Sequence, residues 1–532
     1  TMDFDYIIIG AGSSGSVMAA RLSEDGKNQV LLLEAGGSDR RPKILVPGYS
    51  MLKIYGDPQY DWGFTSEPDP TRHNRTDYMP RGKVLGGTTS INAMSFVRGS
   101  PEDFDQWASL GCREWDFESV LPYFKKLENY EGGADSYRGV GGPLNVALLR
   151  SPHPLSEMFL QACVTAGMKR VEDYNCPPQE GIGFVQGSIK RGLRFSAARA
   201  YLWPAKRRKN LSIQLKCHVE RVLFEGKKAI GVRYSREGQI TEVKARKAVI
   251  VSAGVFGSPQ ILMLSGVGPA HHLRNFGVPV IHDLPGVGEN FQDHAAIEQS
   301  VGVNCPTYNV QTRVIDYISF GMQWLFSSSG PLSNPLAEVV GVWRSDVKER
   351  ISRVQYLFTP AGYKNGAQGP ELHDSPTVTG YTNLHWPYSK GYVRLRSNNP
   401  ADSLTIQPNI FSDERDLDAL MIGGKFQRKI FHTEPMAQYI VKEHSPDNNV
   451  QTDDEWRAFI RETALGIYHP AGTCKMGHDQ MAVVDDKLRV HGLVGLYVVD
   501  ASIMPFVVSA NLNANCLMIG EKAADIIKAG NR

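Results

Sequence analysis

Apolar residues along the chain fall in short runs punctuated by glycine. Asp5-Tyr6-Ile7-Ile8-Ile9 is apolar and rich in β-branched residues, and it runs straight into Gly10-Ala11-Gly12-Ser13-Ser14-Gly15. Small and apolar positions from Ser16 to Ser23 then suit a helix, and a second apolar run, Val30 to Leu33, ends on Glu34 and Gly36-Gly37. Strand, tight turn, helix and strand in this order make a unit of βαβ size, with two parallel strands and a crossover helix.

Further on, Leu211 to Leu215, Val219 to Phe224 and Ala248 to Ser252 predict strands, and a helix is expected from Pro259 to Leu264. Between about 300 and 465 the pattern changes to isolated strands such as Gly391 to Arg396, set among aromatic-rich stretches and Pro/Gly/Asn loops. This predicts a different layer. No internal repeat interrupts the chain, and no uninterrupted apolar run has the length of about 18 residues that a membrane span needs.

At 532 residues the chain exceeds a single core, so two structural units are expected. A 42% hydrophobic and 21% charged composition is that of folded globular proteins. A net charge of +2, from 58 basic and 56 acidic residues, gives no field to steer nucleic acid. The basic cluster Lys206 to Lys209 reads as a solvated loop. Seven scattered cysteines without a CxxC pair, and a strand that begins almost at residue 1, predict a reduced, cytoplasmic setting. No HxxxH or HExxH spacing points to a metal.

Gly10, Gly12 and Gly15 form GxGxxG between a strand and a helix. The first glycine permits the tight turn, the second admits a pyrophosphate to the backbone, and the third lets helix and strand pack closely. The helix N-terminus then presents unpaired N–H groups to the phosphates. Glu34 stands at the end of the second strand, where a carboxylate can accept hydrogen bonds from ribose hydroxyls and would repel a 2'-phosphate. These features predict a dinucleotide site and leave FAD and NAD both open. A second glycine-rich segment runs from Arg81 to Asn92; its glycines let backbone approach a flat ring or a phosphate, and a tight structural turn is the rival reading.

Gly82 to Asp105 resembles the first signature of the glucose-methanol-choline (GMC) oxidoreductases over its whole length. Gly254 to Gly268 is similar to the second, departing from it at Val255 where a small residue is usual. Pro285 to His294 and Val498 to Pro505 look like two further blocks of the family, and the whole resemblance runs from residue 5 to about 527. It is weakest between 300 and 465. The branch it resembles is bacterial and holds choline-, sorbose- and hydroxymethylfurfural-type alcohol oxidoreductases.

The resemblance implies an α/β fold: a Rossmann-like FAD-binding domain of 1–150, 206–295 and 465–532, and a substrate-binding domain of 151–205 and 296–464 built on an antiparallel sheet with helices. It implies FAD as cofactor, with contacts from Gly82, Gly86, Gly87, Thr88, Asn92 and Ala93, and from Ser14, Val219, Ala253, Asp500, Ala501 and Asn511. Members that hold FAD covalently carry a histidine just before the Asn of the first signature; Ile91 stands there, so non-covalent FAD is expected. Members that use choline carry a carboxylate two residues after the Gln-Asp-His block; Ala296 stands there, and a neutral alcohol is expected instead.

Within Tyr468-His469-Pro470-Ala471-Gly472-Thr473 the family resemblance gives His469 the place facing the flavin, with a partner in the Asn511-Leu512-Asn513 segment. Asn513, 44 residues on, is taken as that partner. Alcohol oxidation removes a hydroxyl proton and a hydride from the same carbon, which calls for a base and an electron sink. Neutral histidine can take the proton, with the hydride passing to flavin N5, and an asparagine can only hold the hydroxyl. Tyr468, beside the base, is expected to line the pocket. The alternative is a hydroxynitrile lyase-like enzyme that keeps FAD without redox turnover. Oxygen or a quinone or dye as electron acceptor, and monomer or homodimer, stay open at this point.

Overall fold

The computed structural model describes residues 3–48, 54–345, 352–366 and 369–531. Two seven-stranded sheets organise the chain. In the first, Phe4–Ile9 lies between Val30–Leu33 and Gln239–Val251, parallel to both; Leu211–Gln214 extends one edge in parallel, and Leu496–Val498 pairs in parallel with Gln239–Val251. The four residues Val30 to Leu33 are buried throughout, as expected of a strand covered on both faces. His218–Glu225 and Lys228–Arg236 complete this sheet as an antiparallel meander against the first half of Gln239–Val251.

The second sheet is antiparallel, in the order Ile440–Ser445, Ala295–Val303, Thr377–Leu384, Ser352–Thr359, Val339–Ser345, Gly181–Phe184, with Leu465–Gly466 also pairing with Ala295–Val303. Alternate residues of Ala295–Val303 divide between its two faces. Ala295 and Ile297 pack with Leu417, Leu420 and Trp456, and Val301 and Val303 with Phe159 and Ile430, beneath the helices Pro154–Thr165, Glu414–Phe431 and Asp453–Thr463. The opposite face carries Ala296, Glu298 and Ser300 and turns towards the first sheet, whose core Tyr381 of the neighbouring strand joins.

The first helix, Ser13–Ser23, begins three residues before its expected start, directly after Gly12. The strand expected at Ala248 to Ser252 begins at Gln239; its first half is mostly exposed and polar, so no buried run announces it. The helix expected from Pro259 spans Gly254–Leu264. A proline usually marks a helix start because it lacks an N–H. Here the carbonyl that Pro259 leaves unpaired, that of Val255, accepts a hydrogen bond from the Thr473 hydroxyl at 2.7 Å, so the helix runs through the proline. Among the described residues, the region 300–465 also holds helices the pattern did not predict: Glu414–Phe431, Asp453–Thr463 and Val314–Ser327, the last of which buries none of its residues.

Candidate active site

The glycines of the first turn divide as the motif requires. A Cβ on Gly10 would lie 2.4 Å from the Ser252 carbonyl oxygen, and one on Gly15 1.8 Å from that of Gly10; one on Gly12 would meet nothing within 4 Å. The first and third are closed by protein and the second opens on free space. Beside it the helix Ser13–Ser23 starts with no side-chain cap and no acidic residue in its first turn, leaving its positive end for an anion. A pyrophosphate fits this cradle.

Glu34 holds the turn in shape. One of its oxygens accepts from Ala11 N–H at 2.9 Å and the other from Gly36 N–H at 2.8 Å, while burial pushes its carboxyl up to about 7. Each oxygen keeps a lone pair for a ribose hydroxyl. The hydroxyl of Ser14 donates to the Cys516 carbonyl at 2.7 Å and ties this helix to Asn513–Gly530, so only its backbone faces the cradle.

The second glycine-rich loop lies on the first. Gly86 N–H donates to the Ala11 carbonyl at 2.7 Å, and a Cβ on Gly87 would stand 2.6 Å from Gly12 Cα. Gly82 packs on the Gly87 carbonyl, and its N–H donates to the Thr88 hydroxyl at 3.2 Å. Arg194 donates to both the backbone and the side-chain oxygen of Asn92, at 2.8 and 2.9 Å, and half-buried Ala93 follows in the turn. Ile91 sits in an apolar cluster with Ile44 and Val84. Val219 is buried on the strand His218–Glu225, and Ala253 precedes the helix Gly254–Leu264. The Asp500 carboxylate accepts from Gly254 N–H, Ser258 Oγ and both the N–H and hydroxyl of Ser502, so this buried side chain joins two segments and positions Ala501 behind it.

His469 is brought to the cradle by pairing between its own segment and the Gln-Asp-His block. Gln292 and Ala471 exchange backbone hydrogen bonds of 3.0 and 2.9 Å, and Asp293 Oδ1 accepts from the N–H groups of both His294 and His469. Tyr468 is held at φ +65°, a left-handed conformation costly for a tyrosine, and its carbonyl accepts from Arg81 at 2.7 Å. Burial pushes the Asp293 carboxyl up to about 7, against those amides and Arg81.

Hydrogen-bond directions fix which nitrogen of His469 is basic. His294 Nε2 lies 3.0 Å from the Val508 carbonyl, which can only accept, so Nε2 carries the proton. Burial holds the His294 imidazole down, to about 4, which keeps it neutral and makes its Nδ1 an acceptor. The 3.0 Å contact between the two Nδ1 atoms then places a proton on His469 Nδ1 and leaves its Nε2 as the lone pair. Burial, reinforced by His294 and Arg81, holds His469 well below the ordinary imidazole range.

That lone pair faces Asn511 Nδ2 at 3.3 Å. Gln355 donates to Asn511 Oδ1 at 3.1 Å, fixing the amide with its NH2 towards His469, and Asn383 donates to Gln355 at 3.0 Å. The partner of His469 is therefore Asn511, and the expected assignment of Asn513 to this role is corrected. Asn513 opens the last helix and accepts from Ser13 Oγ at 3.3 Å, on the cradle side. Successive helical residues rotate by about 100°, so positions two apart at a helix entry point in nearly opposite directions. Asn511, expected at the cofactor, lies instead against His469.

Sequence reasoning missed His294, Gln355, Asn383 and His385. The last is buried with neither ring nitrogen partnered, its ring centroid 5.0 Å from that of His294. His294 lay inside a recognised block and could have been found there. Gln355 and Asn383 lie in the stretch of weakest resemblance and carry no motif.

Two family models, both described as GMC oxidoreductase, match residues 4–296 and 387–520. The chain is 42% identical to the mitochondrial choline dehydrogenase of Homo sapiens, covering 99% of this chain and 90% of that protein. It is likewise 42% identical to an oxygen-dependent choline dehydrogenase of Sinorhizobium fredii, covering 99% and 96%. Among solved structures, pyridoxine 4-oxidase from Mesorbium loti superposes with a TM-score of 0.89 at 30% identity, over 98% of both chains. No helix among the described residues is long and apolar enough to cross a membrane.

Proposed function

The chain belongs to the GMC oxidoreductase family and is an FAD-dependent oxidoreductase, and from that premise we propose that it oxidises a primary or secondary alcohol to an aldehyde or ketone with His469 Nε2 as the base. The observation that carries this reading is the directed chain Asn383, Gln355, Asn511, His469, His294, Val508, which supports a neutral His469 with one lone pair turned to the site. Bound FAD supplies the hydride acceptor.

The residues of the site divide the remaining work. The hydroxyl of the alcohol gives its proton to His469 Nε2, while the Nδ1–H of the ring stays hydrogen-bonded to His294 and keeps Nε2 turned to the site. The second N–H of Asn511 is free to hold the substrate oxygen as negative charge develops on it. Asp293 fixes the His469 backbone, and Arg81 fixes that of Tyr468. Gly10, Gly12, Gly15 and Gly82 to Gly87 hold the cofactor, and Ile91 offers no nucleophilic atom, which supports FAD held without a covalent link. The relatives named above are dehydrogenases and an oxidase, and none supports a lyase.

Anaerobic mixing of the FAD-loaded protein with sugar, aromatic and aliphatic alcohols tests the proposal. The flavin absorbance bleaches with the true substrate class, and His469→Ala lowers that rate at least about a hundredfold while FAD content stays. Unchanged reduction in the variant overturns the base assignment. Admission of air then separates oxygen from a quinone or dye as acceptor.

A further inference from the structure

Glu298 lies on the strand face that leads towards His469, and its charge reaches Tyr468, the residue before that histidine. On the strand Ala295–Val303 it shares a face with Ala296, and its cross-strand partner is Tyr381, as that of Ala296 is Asn383. Asn383 begins the hydrogen-bonded chain to His469, so Glu298 stands one rung farther from the base, about 6.6 Å along the strand. The other face is filled: Ala295 and Ile297 pack in the core, and Gln299 donates to the Gly424 carbonyl.

The carboxylate is both accessible and enclosed. Its surface is open in the structure, yet protein surrounds it almost as fully as a core residue and burial raises its carboxyl, so the space it opens on is internal. Among the described residues no hydrogen bond or ion pair reaches it. Other interior carboxylates differ. Glu34 binds two amides, Glu128 two arginines, Glu338 an amide, a serine and a tyrosine, and Glu521 an arginine and a tyrosine.

What surrounds Glu298 is aromatic. Its charge acts on Tyr363, Tyr381 and Tyr468, and Tyr55 meets Tyr468 with ring centroids 6.2 Å apart. Burial keeps these phenols protonated, so they bring no competing negative charge. An unpaired carboxylate in such a cavity is costly, a cation relieves that cost, and tyrosine faces attract cations independently.

We propose that Glu298, with Tyr55, Tyr363, Tyr381 and Tyr468, is a subsite for a protonated amine on the alcohol substrate, set one strand rung farther from the reacting carbon than a carboxylate at position 296 would set it. This rests on the reading of the His469 site as an alcohol-oxidising centre, and it replaces the neutral alcohol expected from Ala296 alone. The substrate class is an amino alcohol longer than 2-aminoethanol.

The test uses the FAD-loaded protein without oxygen and a series from 2-aminoethanol to 6-aminohexan-1-ol, each paired with the neutral alkanol of equal length. The amine should be preferred by at least about tenfold in flavin-reduction efficiency, with the maximum at a longer member, and Glu298→Gln should cut that preference at least about tenfold. No amine preference in the wild-type protein, or an equal one in the variant, overturns the subsite. The wild-type series decides by itself should the variant not fold. Calorimetry with n-hexylammonium, which has no hydroxyl, separates the two claims: it should bind and lose at least about tenfold in affinity in Glu298→Gln even if no alcohol reduces the flavin, an outcome that would sink the alcohol reading alone. Absence of binding, or equal binding by both proteins, overturns the subsite.

Discussion

The two seven-stranded sheets serve the active site by opposite means. The first presents backbone: Gly10, Gly12 and Gly87 bring main chain together around free space at a helix N-terminus, and its charged side chains, Glu34 and Asp500, are spent holding that main chain. The second presents side chains: Asn383, Gln355, Tyr381 and Glu298 project from one face of antiparallel strands. A site made of backbone demands glycine at fixed spacing, because a Cβ at Gly10, Gly15 or Gly87 would collide with backbone and one at Gly12 would fill the open space. One made of side chains on a strand face demands only alternation, and almost any residue satisfies that.

The largest expected effect breaks the first sheet's contribution. Gly15→Ala puts a Cβ 1.8 Å from the Gly10 carbonyl oxygen, backbone against backbone, so helix and strand cannot close around the cradle. The purified variant is expected to carry no FAD, as read from its absorbance after gel filtration; a fully flavinated Gly15→Ala protein would show that the turn tolerates what its geometry forbids.

Between the sheets stands His294, and here the effect is on rate. His294→Leu removes the acceptor for His469 Nδ1–H and frees the ring to take the wrong tautomer, so anaerobic flavin reduction should slow at least about tenfold with FAD retained. His294→Asn places an amide oxygen near the lost Nδ1 and should recover part of the rate. Equal rates for Leu and Asn would assign His294 to packing alone. On the second sheet Gln355→Leu deletes one neutral hydrogen bond to Asn511, a loss of about 1 kcal/mol or a few-fold in the same rate. Combined with Asn511→Ala it should cost little more than Asn511→Ala alone, since both act through one amide; additive losses would separate Gln355 from the chain.

The contrast also explains what could be read before the structure. Strand, turn and helix around Gly10 were legible because burial on both faces and the glycine spacing write themselves into consecutive residues. Asn511 was misassigned because spacing along the chain does not record the turn of a helix entry, which sends Asn511 and Asn513 to opposite sides. Ala296 reports on one position only, and a strand offers the same face again two residues later, where the proposed subsite places Glu298. Gln355 and Asn383 meet only through cross-strand register, which no local pattern reports.

The smallest expected effect lies in the pH dependence, and it sharpens which sheet sets the base. As the proposed base, His469 can take a proton only when neutral, so activity should be lost as pH falls through its pKa in the folded protein. Burial first, then His294 and Arg81, hold that pKa well below the ordinary value near 6.5. The flavin-reduction rate should therefore stay level as pH falls from 8 to 6.5, with its acid limb below that point. Arg81 comes with the cradle's loop, whereas His294 leads into the antiparallel sheet. In His294→Asn one of the two neighbours that disfavour the imidazolium is gone, and the acid limb should move to higher pH while the shape of the profile is kept. An unmoved limb would leave burial and Arg81 as the groups that set the base, and a wild-type limb above pH 7 would mean that His469 is not held in the neutral form at all.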